Sequence, residues 1–298
     1  MTTKSSSNSL ADFSAINLAC GGKLCREAGW INADRCPSTK DVVKVNLLRP
    51  LPYPDNTFDG VYHSQFIEHL TAGKGLDFIR ECGRVLKPNG ILRVVTPDLQ
   101  EQAIEYLNNL QVALRSPEDE RARLRYDWIR LEMSDQLNRH TSGGDMVKLL
   151  DRSGVDLRDY LWQRMGRSGK NLIPQNSQTD IKPSLKERLR RLKRLVMSSI
   201  NYLTPESLRV GRFRLSGEVH LCMYDEYLLA NLLAKAGFCE ITKLSAKESK
   251  IPNWNLTRLD CDSKGYPDCE VSLFMEGVKP DNSLKKVTSR SLSGWTMC

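Results

Sequence analysis

The stretch from Ala15 to Leu99 constrains this chain more than any other. Ile16–Ala19 is a short apolar run ending in Cys20–Gly21–Gly22, the pattern of a buried strand that leads into a tight glycine turn. Glycine there gives the backbone access to positive φ and lets a ligand approach without meeting a Cβ. A second run ends at Asp34, whose carboxylate can accept both hydroxyls of a ribose. A third, Asp41–Leu47, precedes the turn-rich LPYPDNT of residues 51–57. The fourth, Phe58–His63, is followed by a helix from about Phe66, and the fifth, Ile91–Thr96, follows the breaker Lys87–Pro88–Asn89–Gly90. Strand, glycine turn, acid-ended strand and further strands separated by helices predict a doubly wound α/β sheet with a nucleoside-type ligand over its strand ends.

Five pieces occur in fixed order: LACGG, GWINAD, LPYPDNTFD, EHL and RVLKPNG–ILRV. Together they resemble the class I S-adenosylmethionine-dependent methyltransferases, and within them the group known broadly as type 11. The resemblance covers about a third of the chain. It implies a Rossmann-like seven-stranded sheet of order 3-2-1-4-5-7-6 and S-adenosylmethionine as methyl donor. It also implies cofactor contacts from Asn17, Ala19, Cys20, Gly21, Gly22, Asp34, Asn46, Leu47, Ser64, Gln65 and His69. Three of these depart from the family's habits. Asn17 stands where many relatives carry an acid, Ala19 replaces the first glycine of the usual turn, and Asn46 sits where an aspartate is common. An amide can still bond an adenine edge.

Beyond residue 99 the pattern changes. The expected organisation is a tail over 1–13, a first part of the sheet core over 14–99, a mostly helical insertion over 100–217, the final strands over 218–280 and a tail over 281–298. Helical spacing of apolar residues marks Asp77–Leu86, Ala103–Leu114 and Glu118–Leu137, and a looped section covers Gly166–Ser184. Asp225–Ala236 reads as a helix with Asp225 as N-cap and Gly237 as its stop. Strand six follows at Glu240–Leu244 and strand seven at Val271–Val278. Asp34 follows Cys20 by only 14 positions, so the first crossover helix must be short or irregular.

Composition narrows the setting. No run approaches a membrane span, and the N-terminus lacks the apolar core of a signal peptide. A cytoplasmic location is expected from that; nine cysteines scattered without a C-x-x-C pair then predict free thiols and no metal site. Residues 182–194 hold seven basic side chains against one acid, Glu187. As part of a helix over 182–201 they form a solvated face by default; the alternatives are peripheral contact with an anionic membrane surface and binding of a phosphorylated or polyanionic acceptor.

On the acceptor side, three candidates for catalysis stand out: Asp98 just past strand five, His220 in EVHLCMYDEY, and Glu68. Histidine titrates closest to neutral pH and suits proton transfer. The alternative for His220 is that it pins the insertion's return to the core; for Glu68 and His69 it is packing and capping. His63 reads as core or as a wall of the cofactor pocket. The expected acceptor is a small molecule, or a sugar unit of a glycan or glycolipid, methylated on oxygen or nitrogen, beneath an inserted cap. Specific nucleic-acid binding is not expected, because His63–Ser64–Gln65–Phe66 replaces the N/D-P-P-Y of nucleic-acid amino methyltransferases. The alternatives are a protein that binds the cofactor without turnover, and a methyltransferase working at a membrane on a lipid-linked acceptor. A nicotinamide-dependent reductase would need G-x-G-x-x-G, and Gly21, Gly22 and Gly29 lack that spacing.

Overall fold

A computed structural model describes residues 13–152, 157–170, 204–262, 264–269 and 271–281. The chain divides into two compact units, one built from Met1–Glu101 with Cys222–Cys298, the other from Gln102–Leu221. The basic segment 182–201, most of the section Gly166–Ser184 and nearly all of both expected tails lie outside the described residues.

The first unit holds a seven-stranded sheet of order β3-β2-β1-β4-β5-β7-β6, as the resemblance implies. Its strands are β1 (Ala15–Leu18), β2 (Trp30–Asp34), β3 (Val42–Lys44), β4 (Phe58–Ser64), β5 (Leu86–Pro97), β6 (Cys239–Leu244) and β7 (Ser272–Val278). The first five run parallel, and β7 lies antiparallel between β5 and β6. Parallel strands are covered on both faces, and β1 is buried along its whole length, as is the antiparallel β7 between β5 and β6. Strand β3 is shorter than its apolar run, because Asn46 turns the chain: its side chain accepts from Leu48 N and its carbonyl from Arg49 N.

One face is covered by two helices. Phe78, Ile79, Cys82 and Val85 of α1 (Ala72–Val85), with Leu229 and Leu233 of a later helix, Glu226–Lys235, pack on Leu18, Val61, Leu92 and Val94. Two expectations need correction here. The helix expected from about Phe66 is only a 3-10 turn, Ile67–His69, after which Leu70 is extended and α1 begins at Ala72. The expected breaker Lys87–Gly90 does not precede β5 but lies within it. The partners of β4 step from Phe58↔Leu86 to Gly60↔Ile91, so the intervening residues bulge out of the ladder. Asn89 takes φ 63° there, and a Cβ on Gly90 would come within 2.8 Å of the Lys87 carbonyl oxygen.

The other face has no crossover helix in the described residues 19–29 and 35–41. Its cover is the segment 245–262, where Ala246, Ile251, Trp254 and Leu259 pack against Tyr62, Val95 and Phe274. At its centre Arg93 of β5 is fully buried. The guanidinium donates to Asp260 (2.8 Å), Glu276 (2.9 Å) and the carbonyls of Glu248 and Ser245, and stacks 4.5 Å from the Trp254 ring. Tyr62 donates to the same Asp260 at 2.6 Å, and Lys250 N and Ser249 Oγ donate to Glu276.

The second unit is helical in its described residues. It comprises α2 (Leu99–Arg115, which starts in the first unit), α3 (Glu120–Asn138), α4 (Gly144–Arg152), α5 (Arg158–Lys170) and α6 (Glu206–Arg214); the helix Glu226–Lys235 of the first unit is then α7 and Trp254–Thr257 is α8. Asp119 caps α3 by accepting from Arg121 N and Ala122 N. Trp128, Leu131, Met146, Leu157, Tyr160 and Leu161 form its core. Beside them the buried Glu132 accepts from Trp128 Nε1 and, at 2.6 Å, from Arg164.

Removing one partner of a buried ion pair leaves the others charged and unpaired, which costs about 3–5 kcal/mol. Arg93→Met should therefore lower the stability of the full chain by about that amount in denaturant unfolding. A loss below ~1 kcal/mol would show that Asp260 and Glu276 find other partners.

Candidate functional site

Parallel sheets of this kind bind ligands outside the carboxyl ends of their strands. In the first unit that edge begins with the turn after β1. Ala19 and Gly21 take φ 54° and 52°, and Lys23 N closes the turn on the Cys20 carbonyl. Nothing lies within 4 Å of where a Cβ would stand on Gly21 or Gly22, so the turn offers open backbone. Asp34, at the end of the neighbouring β2, braces it: one carboxylate oxygen accepts from Gly21 N at 2.9 Å, the other from Cys36 N at 2.7 Å. Each oxygen keeps a lone pair for a further donor.

Beneath the turn sits an amide network that the sequence did not disclose. Asn17 is buried, and its Nδ2 donates to the Lys23 carbonyl and to Asn32 Oδ1. Asn32 accepts also from Cys25 N and donates to the Cys25 carbonyl. Asn17 thus fastens the loop from below, and the surface of the turn belongs to Ala19, Gly21 and Gly22. Cys20 is buried, and burial pushes its thiol up to about 11, with Asp34 acting in the same direction.

Farther along the edge, Asn46 is exposed after β3, whereas Leu47 is buried in the main core. After β4, Ser64 is half-buried and Gln65 exposed at φ 53°, held by Gln65 N on the Val95 carbonyl. Burial holds His63 at about 3, and its ring packs edge-on at 5.0 Å from Phe78; it is a core residue. Glu68, in the 3-10 turn, is buried with one oxygen on Thr96 Oγ1 at 3.2 Å. His69 beside it is half-buried.

Asp98, just past β5, is buried and already engaged. One oxygen meets Lys243 Nζ at 3.1 Å and the other accepts from Gln100 N at the start of α2. Burial would lower the Lys243 ammonium, but the Asp98 bond together with the negative charges of Asp98, Glu226 and Glu101 holds it above its ordinary value. Tyr224 runs beside this strand end, its carbonyl accepting from Leu99 N. His220 belongs to the second unit, half-buried, with its backbone N–H on the Gln136 carbonyl. The structure therefore gathers Ala19–Gly22, Asp34, Asn46, Ser64, Gln65, Glu68, His69 and Asp98 along one edge of the first unit, with Asn17 and Leu47 packed beneath it. Arg93 is the charged group that sequence reasoning passed over; the lone arginine inside ILRVV was its one signal.

The strand order, glycine turn and acid-ended β2 define a class I methyltransferase fold. Residues 12–94 match the family described as a methyltransferase domain. Two proteins from two strains of Mycobacterium tuberculosis, each described as a probable S-adenosylmethionine-dependent methyltransferase, are 45% identical to it over 58 residues. That stretch is 20% of this chain, and the chain spans 20% of the length of those curated relatives. Among solved structures, a methyltransferase from Archaeoglobus fulgidus aligns over 90% of this chain and 86% of its own, at 14% identity and a TM-score of 0.37. The YcgJ protein of Bacillus aligns over 91% of this chain and 93% of its own, at 10% identity and a TM-score of 0.34. At such scores the strand order and register define the fold, and the superpositions add nothing to it.

His63 supplies a pH test of the core on which this edge rests. Folding lowers its pKa from 6.5 to about 3, so the unfolded chain binds the extra proton between those values. The neutral imidazole's contribution is intact above pH 6.5 and is lost as pH falls toward 3. His63→Leu should flatten the acid side of the stability curve relative to the wild type, measured by denaturant midpoints from pH 7 to about 4. Parallel curves for the two proteins would contradict it.

Proposed function

We propose that this chain is a methyltransferase that binds S-adenosylmethionine along the carboxyl edge of its sheet and methylates an oxygen or nitrogen of a small molecule or of a sugar unit in a glycan or glycolipid. The observation that carries the cofactor half is the pairing of Asp34 with Gly21: an open glycine backbone and a ribose-type carboxylate are fixed to one another by a 2.9 Å bond. In this reading Asp34 accepts the ribose hydroxyls and Asn46 faces the adenine edge. Gly21 and Gly22 lie under the chain of the methionine, and Ser64 and Gln65 line its far end. The cofactor supplies an electrophilic methyl group on a positively charged sulfur. The protein's share is to hold the acceptor atom in line with that methyl, which by proximity alone is worth ~7–11 kcal/mol.

Asp98 is spoken for by Lys243 and by the start of α2, so its role here is to hold the strand end and the helix in place. His220 is the proposed base toward an acceptor that must lose a proton. The acceptor class rests on the family resemblance and on the lack of a nucleic-acid motif after β4. The cytoplasm is the proposed location. No helix among the described residues is long and apolar enough to cross a membrane.

Calorimetric titration with S-adenosylmethionine should give saturable heat, and NAD should give none. Asp34→Ala should weaken the cofactor by about 1–3 kcal/mol, the cost of losing a charged hydrogen-bond partner, while the fold persists. Absence of heat from S-adenosylmethionine and from its demethylated product on folded protein would refute the reading. A cofactor bound without methyl transfer to any candidate acceptor would favour the binding-protein alternative.

A further inference from the structure

One buried acid on this edge pairs with no lysine or arginine among the described residues: Glu68, which is 1% exposed. Oε2 accepts from Thr96 Oγ1, while Oε1 is buried without a hydrogen-bond partner. The turn that carries it is held rigidly. Leu70 N closes on the Ile67 carbonyl, and Cys222 N donates to the Glu68 carbonyl. A buried polar atom left unmatched in a well-packed site costs stability unless something else uses it.

Its place along the edge indicates what that user is. Neighbouring strands stand ~4.8 Å apart, and the sheet order fixes their sequence as β3, β2, β1, β4, β5. With Asn46 after β3, Asp34 after β2 and the glycine turn after β1, a nucleoside over β3 and β2 sends its substituent toward β4. Glu68 lies in the turn after β4, bonded to β5. On that reading the sulfur end of the ligand would lie over the ends of β4 and β5, where the turn of Glu68 stands.

We propose that Glu68 is the counter-charge for the cofactor's sulfonium: its carboxyl gives a proton to solvent when the positively charged S-adenosylmethionine binds, and keeps that proton when the neutral thioether product occupies the same place. This rests on the cofactor reading given above and extends it to discrimination between substrate and product. Burial pushes Glu68 up to about 8, only partly offset by its own backbone N–H and by Thr96. A cation within ~4–6 Å lowers a carboxyl by about 1–3 units, enough to ionise it at neutral pH. The groups around it are His69 on its own turn, with a ring nitrogen within 4.8 Å of a Glu68 oxygen, Thr96 on β5, and Cys222 and Tyr224 on the segment before α7. His220 precedes Cys222 by two residues in the chain. Burial raises the Tyr224 phenol, with Cys222 and Glu68 adding to the rise, so it stays neutral. The ionised Glu68 Oε1 is then available to hold a proton set free in the site.

The test is calorimetry of the full chain at pH 7.5 in phosphate and in Tris, with S-adenosylmethionine and separately with S-adenosylhomocysteine. The wild type should release up to one proton with the sulfonium in excess of Glu68→Gln, and the two proteins should match with the thioether. Affinity for the sulfonium should rise about tenfold from pH 6.5 to 8.5 in the wild type, a rise that Glu68→Gln loses. Infrared difference spectra of the wild type give the same answer without a variant: a protonated carboxyl C=O band is lost with the sulfonium and retained with the thioether. Equal release in Glu68→Gln, or a band unchanged by the sulfonium, overturns the assignment. Binding of neither ligand would overturn the cofactor reading itself, and this assignment with it.

Discussion

The Arg93 guanidinium is the interaction on which the arrangement of this sheet depends. A parallel sheet must be covered on both faces, and here α1 and α7 cover only one of them. The loops after β1 and β2 carry no helix, so the second face relies on an irregular segment, residues 245–262. Irregular backbone brings carbonyls that need partners when buried. Arg93 supplies donors for two of them, at Glu248 and Ser245, and for two carboxylates, at Asp260 and Glu276. Its planar fork can meet all four at once and still stack on Trp254, which a lysine could not do.

The ligand edge depends on that cover through the strands themselves. Tyr62 and Arg93 share Asp260, so β4 and β5 are clamped from behind at neighbouring positions. Their carboxyl ends carry Ser64, Gln65 and Thr96. On the other side of β1, Asn17 and Asn32 act as the corresponding clamp under the glycine turn. Two buried polar networks, one of amides and one of charges, thus hold the loops that a nucleoside would touch, while the touching residues stay small or solvated.

Much of this was legible in the residues. The apolar runs ending at Ala19, Asp34 and Thr96 show themselves because a strand buried on both faces must be apolar almost throughout. The Asp225 cap and Gly237 stop show themselves because helix ends have local chemical requirements, and Asp225 does accept from Leu228 N. Helical periodicity could not mark the end of the turn at Glu68–His69, because apolar positions continue across Leu70 into α1. Pro88–Asn89–Gly90 looked like a break, since such residues oppose a regular ladder; the bulge satisfies them without ending the strand. The partners of Arg93 could not be read at all. They lie 167 and 183 residues away, and no local spacing encodes such a pairing.

Those separations carry a consequence for how the molecule assembles. Tyr62 and Asp260 are 198 residues apart, so the back of the central strands stays bare until almost the whole described chain has been made. Closing contacts of such span costs chain entropy before it returns any stability, which slows folding and raises contact order. During synthesis the strands β1, β4 and β5 would emerge with an apolar face and the unneutralised Arg93 exposed, a surface open to self-association. The burial that fixes the finished sheet is thus completed only after nearly the whole described chain has emerged.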